Sequence, residues 1–582
     1  MLAILIVLPL LIAALLSLVP YEQQKTIKYI AFAASIATLL AAIYLFVNPP
    51  GTQSVPWFGF NGIPINITTA TAPMNLLLMM VVAVITPLIF LYSMGFMELP
   101  SEQSRFYFEM CIFAAAMLLF SISASFITMF IAWEMLGITS YLLIGFWYKR
   151  EKAPTAARKA ITTILIGDIA MLVAILLIGV SYGSFDFSTV LQAPVASVYL
   201  KPALLLILIG AFTKSAQFPF HEWLSDAMEG PTPVSAYLHS STMVKAGVFV
   251  VALLFPVFLA AHLLAPLLII GLATTAIGAL NALSSSHLKK VLAYSTIEDL
   301  GLMFVALGLN ALPAAIVLFV VQAFYKALLF MSAGSIMKAN NGETDIYRVT
   351  AYGRNRLLFA VALIGALSLA GIFPLSGFFG KVLVDQSATG NAIVYMVLTA
   401  ADFLTGFYIF RWLFLPISNQ KQAKTQAQYR YTSRSMLAPQ VVLAVLVVAA
   451  TAYMLFYVSG LHIGINVAFI ETLAAVIGLV MAYIVIASPS RNAWKSSSIR
   501  VFLANGFFVN TFYTYLSKLA LAFARAVELF DGWLNRIFYA GGDGIINSGK
   551  SLGFVERGNV NVYIAASAAG LVFIMLVLVL IA

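Results

Sequence analysis

Runs of roughly 20 apolar residues recur from one end of this chain to the other, each long enough to cross about 30 Å of hydrocarbon as a helix. A backbone inside lipid has no water to bond, so such runs are confined to helices that satisfy their own polar groups. Sixteen runs are identified, near 2–19, 27–47, 73–95, 106–122, 124–147, 160–181, 201–219, 232–255, 258–283, 288–309, 312–336, 357–387, 390–415, 435–458, 466–488 and 560–581. The expected class is an all-α polytopic membrane protein of about 16 transmembrane helices. Charged residues make up 9% of the 582 positions, against about a quarter in soluble domains, which excludes a water-soluble globule.

The net charge of +10 does not point to nucleic acid, because the basic residues fall by parity of connection. Connections after the fifth (Lys149, Arg150, Lys152), eleventh (Lys338, Arg348), thirteenth (Lys421, Lys424) and fifteenth (Arg491, Lys495) spans are basic, whereas those after even-numbered spans carry almost no Lys or Arg. The positive-inside rule then places the protein in the cell membrane with its N-terminus outside and its odd connections in the cytoplasm. The opening MLAILIVLPLLIAALLSLVP has no basic residues before its apolar run and reads as a retained first span.

Cys111 is the only cysteine, so no intrachain disulfide, CxxC zinc site or Fe–S cluster is available. The histidines (His221, His239, His262, His287, His462) are scattered, with no pair at ligand spacing on one helix, and no P-loop or dinucleotide fingerprint is present. No cofactor and no metal is expected, and any redox group belongs to partner subunits.

Two spans are interrupted. In the seventh, Lys214 precedes Pro219; in the twelfth, Pro374 precedes Lys381. Proline frees helical carbonyls, tolerated in a bilayer only against protein or a wet cavity. Lysine before one break and after the other is the mirrored order of inverted-topology repeats, although proline is also common in transmembrane helices without any such role.

Ionisable groups inside apolar spans are the informative residues: Glu134, Asp168, Lys214, His239, Lys245, Lys326 and Lys381. Each costs at least ~2.5 kcal/mol at mid-helix, so these groups need partners, water or a function. Desolvated lysine and glutamate, with histidine, are the types that take up and release protons near neutrality. Near span ends the bland reading is snorkelling to the interface, and it is applied to Glu109, Lys289 and Lys290. Asp168 reads equally as a cap for a neighbouring lysine, and His239 as a helix-to-helix hydrogen-bonding group. Lys245 lies six positions after His239, about 240° around the helix, so the two are expected to face different neighbours. Asp402 and Glu471 are read as interface or packing residues.

The stretch GAFTKSAQFPFHEWLSDAMEGPTPVSAYLHSSTMVKAGVF resembles the signature of the antiporter-like subunits shared by respiratory complex I, Mrp-type Na⁺/H⁺ antiporters and membrane-bound hydrogenases. AWEMLGITSYLLIGFW, KKVLAYSTIEDLG, AFYKALLFMSAGS and LAGIFPLSGFFGK follow in family order, and the similarity covers about 110–390. The resemblance implies a glutamate–lysine pair at Glu134 and Lys214, a modulating aspartate at Asp168, relay positions at His239 and Lys326, and a terminal lysine at Lys381. The C-terminal part, NGFFVNTFYTYL and then LGFVERGNVNVYIAASAAG, resembles the end of the complex I L-type subunit, which carries a lateral helix. Departures are Gln322 and Leu318 where histidines are common, Val382 where an acid is common, and Lys245 and Glu298, which look more like Mrp or hydrogenase members.

The expected organisation is 1–105 N-terminal helices, 106–255 and 256–415 two inverted antiporter-like repeats, 416–496 C-terminal helices, 497–559 a lateral amphipathic segment on the cytoplasmic side, ended or kinked at Gly541–Gly544, and 560–582 a final span. The function implied is proton translocation within a complex I-like redox pump. The chain would carry no electrons itself, and its partners would be other membrane-arm subunits and an Fe–S/flavin or hydrogenase module. Alternatives are a Mrp-type antiporter or hydrogenase subunit, a structural subunit, and an inorganic-carbon uptake subunit.

Overall fold

The computed structural model describes residues 24–60, 63–98, 100–192, 197–350, 355–422, 432–457, 463–487, 509–553 and 558–581, with a few positions before 17. Among them, 13 helical stretches, counting 232–253 as one despite the interruption within it, are long and apolar enough to cross a membrane. They fall on the second to sixth, eighth to eleventh and thirteenth to sixteenth expected spans. The seventh and twelfth are the two proline-broken helices; the first lies largely outside the described residues, and Lys424, Arg491, Lys495 and His462 lie outside them.

The first half contains α1 (Gln24–Val47), the strands β1 (Gln53–Phe60) and β2 (Ile63–Thr69), α2 (Pro73–Phe96), α3 (Pro100–Ile122), α4 (Phe126–Ile144), α5 (Lys152–Tyr182), α6 (Phe187–Gln192), α7 (Leu200–Lys214), α8 (Glu222–Asp226), α9 (Thr232–Leu238) and α10 (Ala246–Leu253). Local chemistry sets the boundaries. Pro73 starts α2 at a position where no amide hydrogen is needed. The Ser125 hydroxyl caps α4 by accepting from the Thr128 amide at 3.2 Å. Gly183, at φ 62°, closes α5 in the left-handed region.

The β1–β2 hairpin is an addition to the all-α expectation. Its strands pair antiparallel with an irregularity between Pro56 and Phe58. Its alternating, turn-rich sequence is too short and polar to cross a bilayer, and the Thr68 amide anchors it by donating to Thr128 Oγ1 at 2.9 Å.

The second half contains α11 (Phe255–Ala260), α12 (Leu264–Ser284), α13 (Leu288–Gly308), α14 (Leu312–Ala339), α15 (Arg356–Leu369), α16 (Ser376–Ser387), α17 (Ala392–Gln422), α18 (Arg434–Tyr457) and α19 (Ile465–Ala487). Nearly every residue of α13 is buried, including Ser295, Glu298 and Asp299. A helix with no lipid-facing side can carry polar residues all round, as its weak apolar periodicity requires.

A third break corrects the reading of 232–255 as one continuous helix. After α9 the chain leaves helical geometry at His239 and resumes through a 3₁₀ turn, Met243–Lys245, before α10. Hydroxyls take over the local bonding: Ser240 Oγ donates to the Ala236 carbonyl, and Thr242 Oγ1 donates to the Tyr237 carbonyl at 2.6 Å. Side chains that bond nearby carbonyls compete with the helix for them. The 240° offset between His239 and Lys245 therefore does not apply.

The chain divides into two compact units, Met1–Phe507 and Phe508–Ala582. The second consists of α20 (Val509–Gly553) and α21 (Val560–Ile581). At 45 residues, α20 is roughly 68 Å long by the standard rise. It continues as helix through Gly541, Gly542 and Gly544, correcting the expected stop there. Leu519, Phe523, Phe530 and Ile537 form an exposed apolar stripe on it.

Candidate ion-translocation site

Three helix segments converge on Lys214, at the C-terminal end of α7 just before the Pro219 break. Its ammonium lies 3.6 Å from Asp168 Oδ1 on α5, donates to the Trp133 carbonyl on α4 at 3.0 Å, and sits 4.7 Å from the centre of the Trp133 ring. Trp133 Nε1 donates to the same Asp168 oxygen at 2.6 Å. Lys214 is completely buried and Asp168 nearly so, so this carboxylate and carbonyl replace the water that the ammonium has lost. The implied Glu134–Lys214 pair is not the contact observed: Asp168 holds Lys214, as the cap reading of that residue allowed. Glu134 follows Trp133 by one residue, about 100° further round α4, and its Oε1 is buried without a hydrogen-bond partner.

The middle of the file is built around the third break. His239 caps the end of α9 and Lys245 precedes α10. Both are fully buried. Neither ring nitrogen of His239 has a hydrogen-bond partner, and the ring lies 6.2 Å from that of Trp223. Lys245 Nζ donates to the Phe319 carbonyl of α14 and stands over the Phe319 ring.

On α14, Lys326 Nζ lies 3.2 Å from Asp299 Oδ2 and donates to Ser295 Oγ at 2.5 Å. Tyr325 donates to the same Asp299 oxygen at 2.9 Å. Gln322, one turn before Lys326, is fully buried with both amide atoms unpartnered. Where histidine is common in the resembled subunits, this chain thus presents a group that both donates and accepts.

Lys381, on α16 beyond the Pro374 break, ends the file. Its ammonium donates to Asp402 Oδ1 of α17 at 3.0 Å and to Thr405 Oγ1 at 3.4 Å. Thr405 in turn donates to Glu298 Oε1, and Tyr408 donates to Glu298 Oε2 at 2.7 Å. Glu298 and Asp299 are consecutive on α13: Asp299 holds Lys326, and Glu298 is linked through Thr405 to Lys381. The peptide bonds before Pro219 and Pro374 are both cis.

Four buried acids at or near these lysines were given no site role by sequence reasoning. Glu298 and Asp299 lie in a recognised motif but carried no assigned role. Asp402 was read as packing yet directly pairs Lys381, and Glu471 is buried beside it with both carboxylate oxygens unpartnered. Their signal was the one used for the other sites, an acid inside an apolar run.

The snorkelling expectation also needs correction. Lys289 is buried and donates to the Gly230 carbonyl at 2.7 Å, while Glu109 is buried against Arg105 at 2.7 Å. Lys290 pairs with Asp226 at 3.2 Å, and Lys159 does so at 2.7 Å. Asp226 belongs to the connection between the seventh and eighth spans. Burial pushes its carboxyl up, but Lys159 and Lys290 together outweigh burial and hold it below its ordinary value.

Residues 123–407 match the family described as NADH:quinone oxidoreductase/Mrp antiporter, TM, and 57–107 match NADH-ubiquinone oxidoreductase (complex I), chain 5 N-terminus. NADH-quinone oxidoreductase subunit L of Campylobacter jejuni is 32% identical over 512 residues, covering 83% of this chain and 84% of that protein. NAD(P)H-quinone oxidoreductase chain 5 of Synechocystis sp. is 35% identical over 396 residues, 64% of this chain but only 58% of the relative's length. The solved Mrp complex of Dietzia sp. shares the fold, with a TM-score of 0.76 at 23% identity, over 100% of this chain and 63% of that one. This chain therefore belongs to the family of antiporter-like membrane subunits found in NADH:quinone oxidoreductases and Mrp antiporters.

Proposed function

We propose that this chain translocates protons across the cell membrane as an L-type subunit of a complex I-like redox pump. The observation that carries the reading is the second half of the file: Lys326 pairs with Asp299, and the adjacent residue Glu298 begins a run of polar contacts through Thr405 to Lys381 and Asp402 inside the membrane-spanning unit. Glu134, Asp168 and Lys214 form the input group, His239 and Lys245 lie along the route, and Lys381 is the exit. When Lys214 leaves Asp168, its ammonium loses its counter-charge in a dry site, which favours proton release. Return to Asp168 favours uptake.

The redox module is proposed to lie in partner subunits, consistent with relatives named as subunits of quinone oxidoreductases. The two repeats at 106–255 and 256–415, with Pro219 and Pro374 at their breaks, act as two half-channels, and the odd connections face the cytoplasm. The α20 segment serves as a lateral brace there. In the complex reconstituted in liposomes, Lys214→Ala and Lys326→Ala should each lower the proton-to-electron ratio while electron transfer and assembly persist. An unchanged ratio in both variants overturns the proposal. The rival antiporter reading is favoured by Lys245 and Glu298, and it predicts that no redox subunit co-purifies in mild detergent.

A further inference from the structure

Beyond Lys381 the structure brings together three carboxylates that the proton file does not use in common. Asp385 on α16, Asp402 on α17 and Glu471 on α19 offer oxygens all within 4.8 Å of one another. All three residues are at least nine-tenths buried. Asp402 gives one oxygen to Lys381, while its Oδ2 has no hydrogen-bond partner, and neither has either oxygen of Glu471.

The packing leaves room for Glu471 to point inward. Gly371, in the Pro374 break with φ +69°, would place a Cβ 2.6 Å from Glu471 Oε1 and 3.1 Å from Lys381 Cδ. Any side chain at 371 would push this carboxylate away. The other titratable groups facing the cluster are Lys381, Tyr395 and, one step removed, Glu298 and Asp299. Glu298 is engaged by Thr405 and Tyr408, and Asp299 by Lys326.

Three carboxyl groups therefore face one ammonium in a buried pocket, and bound protons or a further cation must balance the charge that Lys381 leaves over. Packing alone does not explain Glu471, because a buried carboxylate without donors is among the most costly groups a fold can hold. Hard cations take oxygen ligands at about 2.3–2.6 Å, so oxygens that all lie within 4.8 Å of one another can reach a single ion.

We propose that Asp385, Asp402 and Glu471 bind a hard metal cation in exchange for protons, next to the terminal lysine of the file. Cation entry expels protons from the carboxyls, and protonation expels the cation, so the occupied site would bias Lys381. The site gives the translocation reading a regulating or co-transported ion. It relies on that reading only for its role, since equilibrium binding needs no turnover: failure of the Lys214→Ala pumping test would leave it standing.

The test uses the purified complex in weakly buffered detergent, with proton release followed by a pH dye on addition of NaCl, CaCl₂ or choline chloride at constant ionic strength. Release with NaCl or CaCl₂ but not choline supports the site, and the active salt assigns the charge of the ion. The release should fall at least about threefold in Glu471→Gln and in Asp385→Asn, each checked for assembly by size exclusion. No metal-specific release from the unaltered complex overturns the proposal whatever the variants do. Equal release from both assembled variants overturns it too.

Discussion

Asp168 and Asp402 do the same work at the two ends of the file: each sets one carboxylate oxygen on a lysine that sits beside a broken helix. Asp168→Asn preserves an acceptor for Trp133 but removes the charge facing Lys214. Proton translocation is expected to drop at least about tenfold, roughly 1.4 kcal/mol, with Asp168→Glu recovering part of it; proton uptake by proteoliposomes at matched electron transfer measures this. Outside the spans, Asp226 has its folded value held below the ordinary one. Its stabilisation is therefore present above about pH 4 and lost as pH falls through the folded value. Asp226→Asn should lower thermal stability by about 1 kcal/mol at pH 7, with the difference vanishing in strong acid, as followed by intrinsic fluorescence. Glu134, Lys214, Lys326 and Lys381 were legible because a charge in an apolar run stands out. Their partners were not, because whether Lys214 meets Glu134 or Asp168 depends on how α4, α5 and α7 pack, which no local pattern encodes.

At the scale of elements, the breaks at Pro219 and Pro374 were legible from proline chemistry, whereas the one at His239–Lys245 was not. No proline or glycine marks it; Ser240 and Thr242 make it by bonding carbonyls of the preceding turn. The glycines of α20 misled in the opposite direction. A helix continues through them because their cost, about 1 kcal/mol each relative to alanine, is spread over a long amphipathic segment. Gly541→Ala with Gly542→Ala should thus slow amide exchange over 538–546 severalfold, since a Cβ at either position meets nothing within 4 Å. Gly406 behaves differently: a Cβ there would fall 2.2 Å from the Ala475 carbonyl. Gly406→Val should force α17 and α19 apart at a cost of about 1–3 kcal/mol, seen as a lower unfolding midpoint and as loss of Lys381-dependent pumping.

At the scale of the whole chain, the all-helical membrane class and the order of the 13 spans found among the described residues were readable, because lipid imposes one rule on every segment that crosses it. The division into Met1–Phe507 and Phe508–Ala582 follows from contacts rather than composition. Truncation after Phe507 should leave a helical, monodisperse membrane unit with an unchanged unfolding midpoint, while preventing incorporation into the complex, as native gels would report. Within the first unit, α13 is buried nearly throughout, whereas α1 and α19 expose apolar residues such as Leu40, Phe46, Phe469 and Tyr483. The polar file thus runs like the core of a shielded cable, with the outer helices as its jacket. If the file conducts as proposed, its current depends on the jacket staying whole, so damage far from any charge would show first as a leak.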